Sequence, residues 1–271
     1  MSGFQMVLSG IESVPIVHCH IPRTGGMSVD YYFRNVFGDE NCVRLGTEED
    51  FIRIRDPNDP FHAFRWKYLS AHLPARDIMN VMGARKFFMF TIVRDPVERE
   101  VSSFKNIVEH SYSEHGRDIR TFDDYLDMKE RLDEYDLQCN YIQMNEMPAR
   151  SVSGDLLKYI SAGHSIMTVA RNYMLQEYMR VTLGSVHVIR PHNVSASHLD
   201  LTSDQRRRLE GFIERDLELY ELVREAEQTG DLLNDWRISW RASAPPTQKP
   251  KPGEPARREF DYPRYTPGPH P

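Results

Sequence analysis

The sequence predicts an α/β fold in which a central, mainly parallel sheet is flanked by helices. Three observations carry that expectation. Apolar, β-rich runs at 14–21 and 87–93 are each followed at once by a helix start, and a third run at 184–190 leads through a loop into a long helical pattern. At 271 residues the chain is long enough for one large domain with a substantial core.

Taken in order, Ser13-Val14-Pro15-Ile16-Val17-His18-Cys19-His20-Ile21 reads as a strand, Pro22-Arg23-Thr24-Gly25-Gly26 as a tight loop, and Met27 to Phe37 as an amphipathic helix. Phe87 to Val93 is short, aromatic and β-branched, the pattern of a buried strand. It stops at Arg94. Asp95 is then a natural N-cap, Pro96 takes the first helical position where its missing N–H costs nothing, and Glu98 is placed to complete a capping box. Residues 104–180 read as mainly helical and rich in Tyr and Met, and Gly184 to Arg190 as a further strand. Thr202-Ser203-Asp204 is an N-cap cluster for a helix from about Ser203 to Glu227, whose Leu209, Phe212, Ile213, Leu217, Tyr220 and Val223 recur at helical spacing as a core-packing face. After about Ser243 the composition changes: 244–271 holds more than half of the 17 prolines and few aliphatic residues, so it reads as an extended or disordered tail behind a domain spanning 1–243.

Both strand-to-helix junctions have the design of an anion site. A helix start presents free N–H groups and the positive end of its dipole, and at the second junction Arg94 adds a fixed fork of donors while Ser102, two turns on, adds a hydroxyl. At the first, paired glycines let the backbone approach an anion closely, and Arg23, Thr24 and Ser28 add side-chain donors. The Gly-Lys-Ser/Thr ending that grips nucleoside triphosphate and magnesium is absent, which disfavours a nucleotide triphosphatase.

Together these residues resemble the sulfotransferases that use 3'-phosphoadenosine 5'-phosphosulfate (PAPS), in particular the carbohydrate branch that includes heparan sulfate 2-O-sulfotransferase and its bacterial relatives. His20-Ile21-Pro22-Arg23-Thr24-Gly25-Gly26-Met27-Ser28 is similar to that family's loop for the 5'-phosphosulfate, and the Arg94-Asp95-Pro96 segment, with Ser102 eight residues after the arginine, matches its 3'-phosphate segment in residue type and spacing. Asn140 with Gln143, and Asp216-Leu217-Glu218-Leu219-Tyr220, resemble two weaker family segments, so the resemblance covers roughly Val14 to Glu225. It implies a P-loop-like three-layer fold. It further implies PAPS as donor with 3'-phosphoadenosine 5'-phosphate (PAP) as product, and Arg23, Thr24, Gly25, Gly26, Met27, Ser28, Arg94 and Ser102 as nucleotide-binding residues. The family loop carries lysine where this chain has Arg23, which keeps the charge but not the geometry at the leaving phosphate.

Sulfuryl transfer also needs a base for the acceptor hydroxyl. In Tyr68-Leu69-Ser70-Ala71-His72-Leu73-Pro74 a histidine titrating near neutral pH stands between the two nucleotide motifs, and the related enzymes place a catalytic histidine in a similar Gly-His segment. His72 matches it, with Ala71 in place of the glycine; His62 competes for the role. Transfer would be in line, with His72 on the acceptor side and Arg23 and the Gly25-Gly26 amides on the leaving phosphate, and this scheme requires no metal. His18-Cys19-His20 lacks the further ligand spacing of a metal site and reads as core strand, and Arg206-Arg207-Arg208 as a solvated helix face.

The remaining expectations come from composition. A net charge of −6 argues against general nucleic-acid binding, though a local basic cleft is compatible with an anionic glycan. Three cysteines point to a reducing compartment, and no run is apolar enough to span a bilayer, so a cytoplasmic enzyme is expected; Met1 favours this over a chain that lacks an anchor. Asn193-Val194-Ser195 fits a glycosylation sequon, which matters only in a secreted chain. The acceptor is a hydroxyl compound such as a glycan or small metabolite, contacted by 104–180; its identity and the oligomeric state are open. Two alternatives stand beside the sulfotransferase: a nucleotide-binding protein of weak or lost catalysis, and a P-loop-like kinase, which would need magnesium and ATP.

Overall fold

The computed structural model describes residues 15–46, 48–56, 59, 66–83, 86–110, 119–145, 151–172, 175–176, 180, 185, 187–189 and 199–229. The tail 244–271 with Tyr262 and Tyr265, His62, and the Asn193 sequon lie outside these residues. Five parallel strands form one sheet: β1 (Ile16–Cys19), β2 (Cys42–Leu45), β3 (Tyr68–Ala71), β4 (Phe88–Val93) and β5 (Ser165–Thr168), in the order β2-β3-β1-β4-β5. The helices whose bounds fall among the described residues are α1 (Gly26–Phe37), α2 (Glu48–Arg55), α3 (Ala75–Met82), α4 (Pro96–His110), α5 (Phe122–Leu132), α6 (Leu137–Ile142), α7 (Val152–Ser161), α8 (Ser203–Phe212) and α9 (Glu214–Thr229).

The period of two along each strand sorts the core into two layers. Ile16, Tyr68, Phe88, Phe90 and Ile92 face α1 and pack on Val29, Tyr32 and Phe33. Val17, Cys19, Leu69, Met89, Val93 and Ile166 face the other way, onto α3, α6, α7 and α9. A sheet buried on both faces requires the near-continuous apolar runs seen in β1 and β4. A third cluster, of Phe104, Phe122, Tyr125, Leu126, Leu209 and Phe212, joins α4, α5 and α8. Beside it the buried carboxylate of Glu100 meets Arg99, Tyr125 and Lys129 Nζ (3.2 Å), tying α4 to α5 through paired charges. On α8, Arg207 pairs with Asp204 and Arg208 with Asp127 (2.6 Å), as a solvated basic face does.

Two sequence expectations are corrected. The fifth strand is Ser165–Thr168, inside the stretch read as helical, whereas Ser185 and His187–Ile189 of the expected strand at 184–190 are not in a strand. A four-residue strand is too short to show a period, and what makes Ser165–Thr168 a strand is the edge of β4, where Phe90 pairs with Ser165 and Val93 with Thr168. The expected helix over 203–227 is two helices. Thr202 opens α8 with a capping box to Gln205, and a break at Ile213 (φ −129°) separates it from α9. The Asp136 carboxylate holds that break by accepting from the Arg215 (2.9 Å) and Asp216 (3.3 Å) N–H groups.

This topology sets the carboxyl ends of β1, β3 and β4 side by side. From β1 the chain runs outward to β2, returns through β3 beside β1, then crosses to β4 on the opposite side. The reversal leaves a crevice at the carboxyl ends of β1 and its neighbours, where open α/β sheets hold their ligands. The segments carrying Arg23, His72 and Arg94 follow β1, β3 and β4 directly.

Candidate active site

After β1 the chain turns through Pro22 and Arg23, and Arg23 adopts the left-handed backbone region at φ 70°. For a residue with a Cβ this costs on the order of 1–3 kcal/mol, so other contacts must hold the loop. One is the buried Thr24 hydroxyl, donating to the Ile21 carbonyl (2.8 Å). Gly25, at φ 83°, opens α1 without a side-chain cap. The first turn of α1 therefore offers its N–H groups and dipole at the loop, an arrangement suited to an anion. Gly26 is required for a different reason: a Cβ there would stand 1.8 Å from His20 Nε2.

After β4, Asp95 accepts from the Glu98 N–H (3.0 Å) as the N-cap of α4. The expected reciprocal bond from Glu98 is replaced, because the Glu98 carboxylate turns outward to Arg94 Nε (3.3 Å). Both backbone polar groups of Arg94 are held by buried Gln138: Arg94 N–H donates to Oε1 (2.9 Å) and Nε2 donates to the Arg94 carbonyl (3.0 Å). The two junctions meet through their arginines. Arg94 Nη1 donates to the Arg23 carbonyl (3.4 Å), while Arg23 Nε donates to Ser102 Oγ (3.1 Å) and its Nη1 to Asn106 Oδ1 (2.8 Å). Two guanidinium groups, a serine hydroxyl and a helix start thus share one corner of the crevice.

Beyond β3, His72 is half-buried and Arg44 Nη2 donates to its Nε2 (3.3 Å), which places the ring proton on Nδ1. Burial, and secondly the Arg44 charge, push its pKa down to about 4. His72 is therefore neutral through the physiological range, with Arg44 seated on its one ring lone pair. Its ring packs edge-on against His20 (4.4 Å, 75°). Arg44, on β2, also reaches Met27 Sδ (2.8 Å) at the start of α1 and lies 3.9 Å from Asp30. With His72 as the expected base, Arg44→Met should raise the His72 pKa and move the acid limb of a kcat/KM pH profile upward, since activity would be lost as falling pH protonates that ring. A limb that stays in place would show that Arg44 does not set this pKa.

Behind His72 lies a buried polar cluster. His18 and His20 stack in parallel (4.8 Å, 10°), Tyr68 donates to Asp30 Oδ1 (2.6 Å), and Ser70 Oγ lies 3.3 Å from His20 Nδ1. Burial alone would raise Asp30, but the hydrogen bond and charge of His18 outweigh it and hold the carboxylate below its ordinary range. Burial, with His18 and His72 beside it, keeps His20 well below its usual pKa. Ligand atoms of His18, His20 and Asp30 lie within 4.8 Å of one another, yet parallel imidazole planes send their lone pairs side by side instead of converging on one point. The arrangement suits a hydrogen-bonded support for the loop.

The structure thus brings Arg23, Thr24, Gly25, Gly26, Met27, Ser28, Arg94 and Ser102 to the carboxyl edge of β1 and β4, with His72 beside them after β3. Asn140 and Gln143 bond each other (3.2 Å), and the Asp216 carboxylate caps α6 at the Gln138 (3.0 Å) and Cys139 (2.8 Å) N–H groups, so these segments brace the site from behind. Arg44, Asn106 and Gln138 went unnoticed in the sequence. Each belongs to no local motif and reaches the site only through the packing of its element; the Cys-Val-Arg-Leu run of β2 was the one local signal available.

The model of a family described as "Sulfotransferase family" matches residues 12–222, more than half of the chain. No curated protein matches. Among solved structures, a sulfotransferase from Alicyclobacillus acidocaldarius is similar, at 16% identity and a TM-score of 0.44, covering 77% of this chain and 98% of that one.

Proposed function

Because the chain belongs to the sulfotransferase family, we propose that it moves a sulfuryl group from PAPS to a hydroxyl of a carbohydrate or small metabolite, releasing PAP. The observation that carries this reading is the meeting of the two anion-binding junctions, Arg94 on the Arg23 carbonyl and Arg23 on Ser102. A donor with phosphate at both ends of its ribose needs two adjacent anion sites, and ATP does not.

In this reading Arg94 and Ser102 hold the 3'-phosphate, while the N–H groups of Gly25, Gly26, Met27 and Ser28, with Thr24 shaping the loop, hold the 5'-phosphosulfate. Arg23 bridges the two sites and supplies positive charge as the phosphate leaves. The acceptor hydroxyl takes Arg44's place at His72 Nε2, gives up its proton there, and attacks sulfur opposite the departing phosphate oxygen. Three free, buried cysteines (Cys19, Cys42 and Cys139) support a cytoplasmic setting, and among the described residues no helix is long and apolar enough to cross a membrane.

Calorimetry with PAP, ATP and AMP, without and with magnesium, tests the reading. PAP should bind most tightly, independently of magnesium. Arg94→Ala should weaken PAP by about 10- to 100-fold, the worth of a charge-assisted contact, with AMP little changed. PAP binding no better than AMP would end the assignment of Arg94 and Ser102. A second reading, a nucleotide-binding protein of weak catalysis, is favoured by one contact, Arg44 on the lone pair that His72 needs; it predicts PAP binding without measurable transfer to any acceptor hydroxyl.

A further inference from the structure

Arg94 occupies an exacting place in the chain. It is the residue between the last ladder position of β4, Val93, and the N-cap of α4, Asp95, so its own N–H and carbonyl belong to neither element. Such junction groups ordinarily go to water. Here one side chain takes both: Gln138, fully buried, accepts from the Arg94 N–H (2.9 Å) and donates to the Arg94 carbonyl (3.0 Å).

Gln138 is itself held. It sits in the first turn of α6, where Asp216 Oδ2 accepts from its N–H (3.0 Å) and Oδ1 from that of Cys139 (2.8 Å). Asp216 stands in the first turn of α9, which Asp136 caps in turn. A continuous run of short polar contacts therefore leads from α9 through α6 to the backbone of one arginine. The Arg94 side chain, by contrast, is 31% exposed and its own contacts are longer: Nε to the carboxylate of the exposed Glu98 (3.3 Å) and Nη1 to the Arg23 carbonyl (3.4 Å). Its main chain is thus held by shorter hydrogen bonds, 2.9 and 3.0 Å, than its guanidinium.

We propose that Gln138 is a positioning residue. By clamping both backbone polar groups of Arg94 it aims the guanidinium across the crevice toward the Arg23 loop, and with it sets the preference for a 3'-phosphorylated nucleotide. This rests on the reading of Arg94 as the 3'-phosphate contact. It predicts a selective effect: the pre-aimed geometry benefits only ligands that carry the 3'-phosphate.

The test measures PAP and AMP affinities by calorimetry, with thermal unfolding midpoints, for the full chain and for Gln138→Ala and Gln138→Glu. The glutamate keeps the acceptor for the Arg94 N–H and, when ionised, loses the donor to the carbonyl. In the wild type, PAP should bind more tightly than AMP. In Gln138→Ala, PAP should weaken by about tenfold while AMP stays within about twofold, with Gln138→Glu between the two proteins. Equal weakening of both nucleotides, or an unchanged preference in either variant, overturns the proposal, because a merely structural side chain moves stability without moving the ratio. Loss of folded protein in both variants also overturns it, assigning Gln138 to folding. A wild type that does not prefer PAP over AMP is a separate failure, that of the Arg94 reading, and takes this proposal with it.

Discussion

His72→Ala is expected to lower kcat by about 10²–10⁴ while PAP affinity stays within about twofold, since general-base catalysis contributes on that order and His72 follows a different strand from Arg23, Arg94 and Ser102. The geometry separates the roles. His72 follows β3, on the far side of β1 from β4, and the two arginine junctions follow β1 and β4. Its Nε2 faces Arg44 (3.3 Å), and its pKa of about 4 leaves it unprotonated at neutral pH. In the proposed role it is a weak base until the acceptor displaces Arg44, whose charge is the second cause of the lowered value after burial. The check is a steady-state assay for sulfuryl transfer beside calorimetry with PAP. Unchanged turnover removes His72 as the base; a matched loss of PAP affinity makes it part of the nucleotide site instead.

Gly26→Ala is the second large effect, acting on the loop itself. The new methyl carbon would lie 1.8 Å from His20 Nε2, 2.2 Å from Cδ2 and 2.4 Å from Cε1, inside the ring's own volume. The ring has little room to retreat. It stacks on His18 at 4.8 Å, meets the His72 ring at 4.4 Å and lies against Ser70 with Nδ1 3.3 Å from the hydroxyl. Either the imidazole leaves its pocket or α1 and the loop are pushed out. Overpacking of this kind costs about 1–3 kcal/mol, which at roughly 2–4 °C per kcal/mol for a domain of this size lowers the unfolding midpoint by about 5 °C. Displacing the first turn of α1 also misaims the N–H groups proposed to hold the phosphosulfate, so PAP affinity should fall more than tenfold. Gly25→Ala serves as the contrast. Its Cβ has room, 4.0 Å from Val169, and pays only for φ 83°, about 1 kcal/mol. A Gly26→Ala protein with normal midpoint and normal PAP affinity would contradict the packing of His20 on the loop.

Both junctions were legible because each is written in consecutive residues. The apolar run, the turn residues and the helix start of 16–37 and of 88–110 follow one another without a gap, and Ser102 lies two helical turns from Arg94. Local chemistry decides such segments: Gly25 is tolerant of φ 83°, and Asp95 is a short acceptor at a helix start. His72 was legible by residue type and by its place between the motifs, but its lowered pKa was not, because the burial and the Arg44 charge that cause it come from other strands. β5 was missed for the opposite reason to β4: four residues show no period, and pairing with Phe90 to Val93 makes them a strand. The division between α8 and α9 depends on Asp136, far away in sequence, whose carboxylate caps the second helix.

Local sequence patterns encode the fold class, the two strand-to-helix junctions and the resemblance to PAPS-dependent enzymes, because strand period, turn residues and helix caps act over a few neighbouring residues. Only the tertiary structure decided that the junctions share one corner, that Arg23 turns to Ser102 and Asn106, that Arg44 sits on His72, and that Gln138 clamps Arg94. Those contacts join residues 28 to 83 positions apart. They exist because a parallel sheet sets the carboxyl ends of β1, β3 and β4 side by side, an order that hydrophobic burial of both faces enforces and that no local pattern encodes.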